Sequence, residues 1–227
     1  MEQSGAQEKA KPLEAAGGSA ARMPLIADSA AFAEGLEKVK ARGFADLPLL
    51  AAAECAQILK GCEDLPYRRA RPLVGSAGRE VHQDFDLTFE IPRPHPICDL
   101  AASLDRVVCA AADMLDPSPL PEGIVFNDLI VQRYPAGSQG ITPHRDHLRY
   151  TGLVILVTLT GRAGFYVCAD RSGADAVEIP APPGGAILLA APGFADGSVR
   201  PFHFLDRVSA PRISLGFRQD TRPGEPT

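Results

Sequence analysis

Apolar and polar positions divide this chain into two unlike halves. From Asp28 onward Phe32, Leu36 and Val39 recur at helical spacing, with Asp28 or Ser29 as a cap and Gly43 as a stop, which predicts a helix. A second helix is expected from about Pro48 to Lys60, with Pro48 in its first turn, where a missing N–H does no harm. Leu65 to Arg79 mixes Pro66, Pro72, Gly75 and Gly78 with arginines and reads as a long loop. Val81 to Ile91 then alternates: Phe85, Leu87, Phe89 and Ile91 on one side, Asp84, Asp86, Thr88 and Glu90 on the other. That is a half-buried strand. The longest helix is expected over Ile97 to Leu115, ending before Pro117.

Past Gly123 the period shortens. Strands are expected at Val125–Tyr134, Gly140–His147, Leu153–Thr160, Phe165–Ala169, Ala176–Ile179, Ala186–Ala190, Arg200–Leu205 and Arg212–Arg218, with Gly- and Pro-bearing turns between them. Short strands at such close spacing predict a sandwich or barrel. The fold class expected is mainly β with flanking helices (α+β), built on a jelly-roll or double-stranded β-helix core. Residues 23–227 would form one domain, with helical support and a lid over about 23–121 and the core over about 122–219. Residues 1–22 alternate charge with Ala and Gly and read as a disordered tail.

Composition narrows the classes. The 227 residues are 45% hydrophobic, enough for a real core, and Gly and Pro, 21 each, favour turns over long helices. A formal charge of −5 argues against nucleic acid as a partner, because phosphate binding rests on a basic surface. Arg68, Arg69, Arg71 and Arg79 form a local exception, read as a solvated loop. Five cysteines without a C-x-x-C pair indicate neither a zinc cage nor a disulfide framework. Cys55 and Cys109 sit in apolar helical patterns as small hydrophobes. No apolar run is long enough to span a bilayer, and the N-terminal residues lack a secretory apolar segment. A reducing cytoplasmic setting is expected, with no membrane contact and the oligomeric state left open.

The candidate chemistry lies in Thr142-Pro-His144-Arg-Asp146-His147. In an extended segment residues i and i+2 share a face, so His144 and Asp146 aim into one space while Arg145 and His147 aim away. A third ligand is needed to hold a metal firmly. Among five histidines, His82 and His95 lie beside loops or prolines ahead of the barrel, whereas His203 lies in a strand that antiparallel topology can bring alongside. Two imidazoles and one carboxylate leave adjacent coordination positions open, an arrangement that suits Fe(II). Further on, Arg212, Ser214 and Arg218 share a strand face that cannot be plain hydrophobic interior. A dicarboxylate resolves this, with Arg212 pairing its distal carboxylate and Ser214 donating a second bond.

Together these residues resemble the signature of the Fe(II)/2-oxoglutarate oxygenase superfamily. Gln132-Arg-Tyr134-Pro-Ala-Gly137 ahead of H-x-D, and Arg212 followed six residues later by Arg218, are similar to the AlkB-like branch in particular. Gln132 departs from that branch, which commonly has Asn there. The resemblance covers about residues 124 to 219. It implies Fe(II) held by His144, Asp146 and His203, with 2-oxoglutarate and O₂ as co-substrates. It also implies Tyr134 lying against 2-oxoglutarate, with Arg212, Ser214 and Arg218 completing the co-substrate set. No catalytic residue is expected beyond the metal centre. The implied activity is oxidation, foremost hydroxylation, with release of succinate and CO₂.

Acidity and the lack of tryptophan favour a small-molecule substrate, such as an amino acid or secondary metabolite, over a flipped base. The alternatives are a protein or peptide hydroxylase, an AlkB-like nucleic-acid demethylase, and a non-catalytic metal-binding jelly roll. Substrate contacts are sought among Arg68, Arg69, Arg71, Arg79, His82, Asp84, Asp86, Asn127 and Arg149. An arginine facing the iron would imply an anionic substrate.

Overall fold

The protein is described by a computed structural model covering residues 23–196 and 198–222; the expected tail, 1–22, lies outside the described residues. The elements run α1 (Ser29–Arg42), β1 (Phe44–Pro48), α2 (Ala52–Cys62), β2 (Arg68–Arg69), β3 (Leu73–Val74), β4 (Val81–Asp84), β5 (Asp86–Thr88), α3 (Pro96–Ala112), β6 (Asp128–Tyr134), β7 (Gly140–His144), β8 (Tyr150–Cys168), β9 (Val177–Glu178), β10 (Gly185–Ala190) and β11 (Phe202–Asp220). Every strand pairing is antiparallel. The main path is β1-β10-β8-β11-β6-β5-β2, with β7 branching from β11, β4 from β7, β3 from β4, and β9 from β8. This is the expected helix-flanked jelly roll.

Strand alternation sorts the side chains into two cores. Leu153, Ile155, Val157 and Leu159 of β8, Leu188 of β10, and Leu215 and Phe217 of β11 join Phe32, Leu36, Ile58, Leu100 and Leu104 of the helices. Val154, Phe165, Val167, Ile187, Leu189 and Leu205 turn the other way, into the space between the sheets. Both faces of β8 are therefore covered, which is why its sequence is apolar almost throughout. On β11 the positions facing inward beside Leu215 and Phe217 are Arg212, Ser214, Gly216 and Arg218. A polar row in that place marks the site.

Helix α1 begins and ends as its caps predict: the Asp28 carboxylate accepts from the Ala31 N–H at 2.9 Å, and Gly43 closes it at φ 87°. Helix α3 is capped by His95, whose Nδ1 accepts from the Ile97 N–H at 3.2 Å while Nε2 faces the Gly61 carbonyl at 3.0 Å. That histidine is fully used in structure.

Several expected boundaries shift. Pro48 does not open a helix; it closes β1, opposite Gly185 of β10, and α2 starts four residues later. Strand β1 lies at the edge of the sheet, where a residue without an N–H is tolerated. The loop expected over Leu65–Arg79 contains β2 and β3. Val81–Ile91 is not one strand, because β4 pairs β7 whereas β5 pairs β6, and the chain breaks at buried Phe85 to serve both. Conversely, Leu153–Thr160 and Phe165–Ala169 merge into β8, and Arg200–Leu205 and Arg212–Arg218 merge into β11. Each is a 19-residue ribbon continuing through its expected turn. All five cysteines are unpaired; Cys55 is buried and Cys109 half-buried. Among the described residues no helix is long and apolar enough to cross a membrane.

Candidate metal centre

His144 is the last residue of β7, and the register of β7 with β11 sets it directly opposite His203. Their rings lie 4.3 Å apart between centroids. That register depends on Gly140 at the start of β7. Its φ is 74°, and a Cβ there would run into the Leu205 carbonyl. The His144 Nδ1 donates to the Thr142 carbonyl at 2.9 Å, which leaves Nε2 as the ligand atom. Phe165 stacks on His203, with ring centroids 5.8 Å apart.

Asp146 stands two residues beyond the end of β7 rather than on the strand. Its carbonyl accepts from the Arg200 Nη2 at 2.9 Å, which ties down the segment. Its Oδ2 lies 3.7 Å from His203 Nε2. Ligand atoms of His144, Asp146 and His203 all fall within 4.8 Å of one another. Donors about 2.0–2.2 Å from a shared ion sit roughly 3 Å apart, so a small closure suffices. Two neutral nitrogens and one carboxylate on one side of a cavity fit a divalent first-row metal such as Fe(II).

The electrostatics agree with a ligand set. Burial pushes the His203 imidazole down to about 3, with His144 adding to the shift and Asp146 opposing it. His144 is also lowered, again mainly by burial. Burial alone would raise Asp146, but His203, His144, Arg218 and Arg200 outweigh it and hold the carboxyl below its usual range. At neutral pH the histidines are neutral and the aspartate is ionised, the forms in which they bind metal.

The three residues line a cavity whose walls include Ile130, Ile141, Leu156, Phe165 and Leu205. Arg212, only 4% exposed, closes one end. Its guanidinium donates to Ser214 Oγ at 2.8 Å and Thr158 Oγ1 at 2.9 Å, and lies 5.7 Å from the ring centroid of Tyr134. Among the described residues, no carboxylate comes within 4 Å of it. Burial pulls Arg212 below the usual arginine range and pushes the Tyr134 phenol well above its own. A desolvated cation beside two hydroxyls, open to a cavity, fits a carboxylate ligand.

Arg218 lines the same cavity but not the same end. On β6, Arg212 is opposite Tyr134 and Arg218 is opposite Asp128, at the two extremes of that strand. Arg218 pairs with the Asp128 carboxylate and lies 4.2 Å from the Tyr150 ring centroid. The structure thus brings Arg212, Ser214 and Tyr134 together and parts Arg218 from them.

His203 and Arg212 are nine residues apart, an odd spacing that would put them on opposite faces of a regular strand. Both nevertheless face the cavity. The pairing of β11 with β8 is irregular between Asp206 and Ser214, and Arg207 adopts φ 49°. This bulged stretch re-aims the strand between metal ligand and arginine.

Other expected contacts lie elsewhere. Arg69 pairs with Asp84 and Asp86 on the surface, while Arg68 and Arg71 border a shallow outer groove. His82 is exposed. Arg145 stacks over Phe202 at 4.2 Å, pointing away from the site as expected. Asn127 exchanges hydrogen bonds with the backbone of Asp220, and Arg149 binds Asp220 and the Tyr150 hydroxyl. Sequence reasoning missed Thr158 and Arg200. Neither belongs to a motif, and only strand register or loop closure brings them to the site.

No protein-family model matches the chain, and no curated protein matches it. Solved structures do. A prolyl hydroxylase from Trichoplax adhaerens, in complex with a hypoxia inducible factor oxygen degradation domain peptide fragment, superposes with TM-score 0.63 at 13% identity, over 85% of this chain and 90% of that one. A Pseudomonas putida prolyl-4-hydroxylase gives 0.58 at 15%, over 84% and 99%. The non-heme alpha ketoglutarate dependent epimerase from nogalamycin biosynthesis gives 0.58 at 19%, over 84% and 83%. The chain shares its fold with these proteins; the likenesses do not single out an AlkB-like branch.

Proposed function

We propose that the protein is an Fe(II)- and 2-oxoglutarate-dependent oxygenase that oxidises a small molecule, foremost by hydroxylation, releasing succinate and CO₂. The observation that carries this reading is the meeting of His144, Asp146 and His203 in a cavity whose far end is a buried arginine with no carboxylate partner among the described residues. His144 and His203 would offer their Nε2 atoms and Asp146 a carboxylate oxygen to the iron. Arg212 would take the distal carboxylate of 2-oxoglutarate, Ser214 and Thr158 would orient that guanidinium, and Tyr134 would flank the co-substrate. Bound iron, with the 2-oxo acid and O₂, supplies the oxidising power.

The chain's own part is orientation and water exclusion. The Thr142 carbonyl holds the His144 tautomer, Arg200 holds the Asp146 segment, and the apolar walls keep solvent from the reacting atoms. The recessed, largely apolar lining of the cavity supports a small molecule over a duplex or a folded protein surface, and the net charge of −5 weighs against nucleic acid. A peptide substrate is the second reading, favoured by the fold shared with the peptide-bound prolyl hydroxylase.

Succinate formation from 2-oxoglutarate, with Fe(II) under air, tests the proposal. Turnover in the wild type and none in His144→Ala is the expected result. Equal background in both would leave a metal-binding jelly roll without catalysis.

A further inference from the structure

Arg218 is 8% exposed and faces the cavity, and its only polar partner among the described residues is the Asp128 carboxylate. Its Nε is buried without an acceptor. Asp128 is not its alone. Arg149 approaches the same carboxylate at 4.0 Å, while bonding Asp220 at 3.1 Å and the Tyr150 hydroxyl at 2.6 Å. The guanidinium of Arg218 is flanked by the rings of Tyr150 at 4.2 Å and Phe89 at 5.6 Å. With its faces beside aromatic rings, its edge is what remains for a ligand.

Arg218 and Arg212 stand at opposite ends of β6, across from Asp128 and Tyr134. Six residues of strand set their Cα atoms about 20 Å apart at roughly 3.3 Å per residue, and Arg218 has its own carboxylate partner where Arg212 has two hydroxyls. Between the arginines stands Gly216, over which Ile130 packs so closely that a Cβ there would come 2.7 Å from its Cγ2. Ile130 and Leu156 give this stretch of the cavity an apolar surface, and the metal ligands stand in the same cavity wall. A molecule in that space would meet an apolar bed and a cationic edge.

We propose that Arg218 anchors the substrate by pairing with a carboxylate it carries, so that the site takes a small organic acid with an apolar body. This rests on the reading of the cavity as an iron and 2-oxoglutarate site, in which Arg212 is already committed to the co-substrate. An acid held at Arg218 extends its apolar portion past Gly216 towards the metal, and the position oxidised is one remote from the carboxylate.

The test uses the full chain loaded with Mn(II) and 2-oxoglutarate under nitrogen, so that binding is read without turnover. The probes are matched pairs of small acids and their primary amides: 4-methylpentanoate, 3-phenylpropionate and N-acetylleucine, each against its amide, followed by ligand-observed NMR and isothermal titration. At least one acid should bind tenfold or more tightly than its amide, and Arg218→Gln should erase that preference, as expected for loss of a charge-assisted pair. Arg218→Lys should restore part of it. Arg218→Gln combined with Asp128→Asn removes both charges together and covers the case in which an unpaired Asp128 unfolds the single variant. The proposal is overturned if every amide binds as well as its acid, or if the preference survives in Arg218→Gln. It is equally overturned if Arg218→Gln weakens 2-oxoglutarate as severely as Arg212→Gln does, since Arg218 would then serve the co-substrate. Failure of the oxygenase reading looks different: wild-type protein would bind neither Mn(II) nor 2-oxoglutarate, whatever the acids did.

Discussion

Replacing Arg212 by methionine should make the ligand-free protein more stable while abolishing its response to 2-oxoglutarate. The guanidinium is 4% exposed and has two hydroxyls, Ser214 and Thr158, but among the described residues no carboxylate to offset its desolvation. Burying an ion costs several kcal/mol even after relaxation, and hydrogen bonds from a charged group return about 1.5–3 kcal/mol each. The residue of that balance is on the order of 1–3 kcal/mol of strain, relieved by an apolar side chain of similar length. At about 2–4 °C per kcal/mol for a domain of this size, Tm should rise by roughly 2–12 °C. Wild-type protein should recover the deficit on binding: 2-oxoglutarate at a hundred times its Kd adds about 2.7 kcal/mol, or roughly 5–11 °C. The assay is thermal unfolding by circular dichroism on Mn(II)-loaded protein, with and without 2-oxoglutarate. A ligand-free Arg212→Met that melts several degrees below wild type would falsify the strain argument, and an undiminished 2-oxoglutarate shift would remove Arg212 from the co-substrate site.

Three further outcomes follow from the geometry. His144→Ala and Asp146→Ala each remove one of the convergent donors, and Mn(II) affinity by electron paramagnetic resonance should fall more than about 100-fold, beyond the usual effect of losing a supporting residue. Chelator-treated protein should lose stability as pH drops from about 6.5 towards 3: the folded state keeps His203 neutral down to about 3, whereas the unfolded chain takes up that proton near 6.5. The slope approaches about 1.4 kcal/mol per pH unit per such histidine. Urea midpoints at pH 7.5 and 5 read it, and a flat profile, or one unchanged in His203→Gln, would count against it. Gly140→Ala combines a φ of 74° with collision against the Leu205 carbonyl, about 2–5 kcal/mol in all. Tm should drop by roughly 4–20 °C, whereas Gly137→Ala, at φ 80° with open space around its Cβ, should lose far less.

The metal ligands were legible because H-x-D and a distant strand histidine leave few alternatives in a chain with five histidines. Rejection of His95 followed from its proline context, and its capping bonds explain why it is spoken for. The polar row on β11 was legible from even spacing alone. What escaped depends on pairing across the sheet. Thr158 reaches Arg212 only because β8 and β11 are neighbours. The division of Val81–Ile91 follows from two partners in diverging directions, and a lone alternating pattern carries no record of partners. Pro48 misled because a proline at a helix start and one at the end of an edge strand look alike locally. Arg218 was grouped with Arg212 by parity of spacing and by resemblance, and the pairing with β6 sets the two at its opposite ends, across from Asp128 and Tyr134.

The bulged stretch between Asp206 and Ser214 makes β11 a gauge for the whole cavity. Removing one residue there would leave His203 opposite His144, so iron could still bind, yet would rotate Arg212, Ser214 and Arg218 together towards the helices. Metal occupancy and acid recognition would then come apart in a single deletion, and the length of this short irregular segment is the dimension that selection must guard when the surrounding sequence drifts.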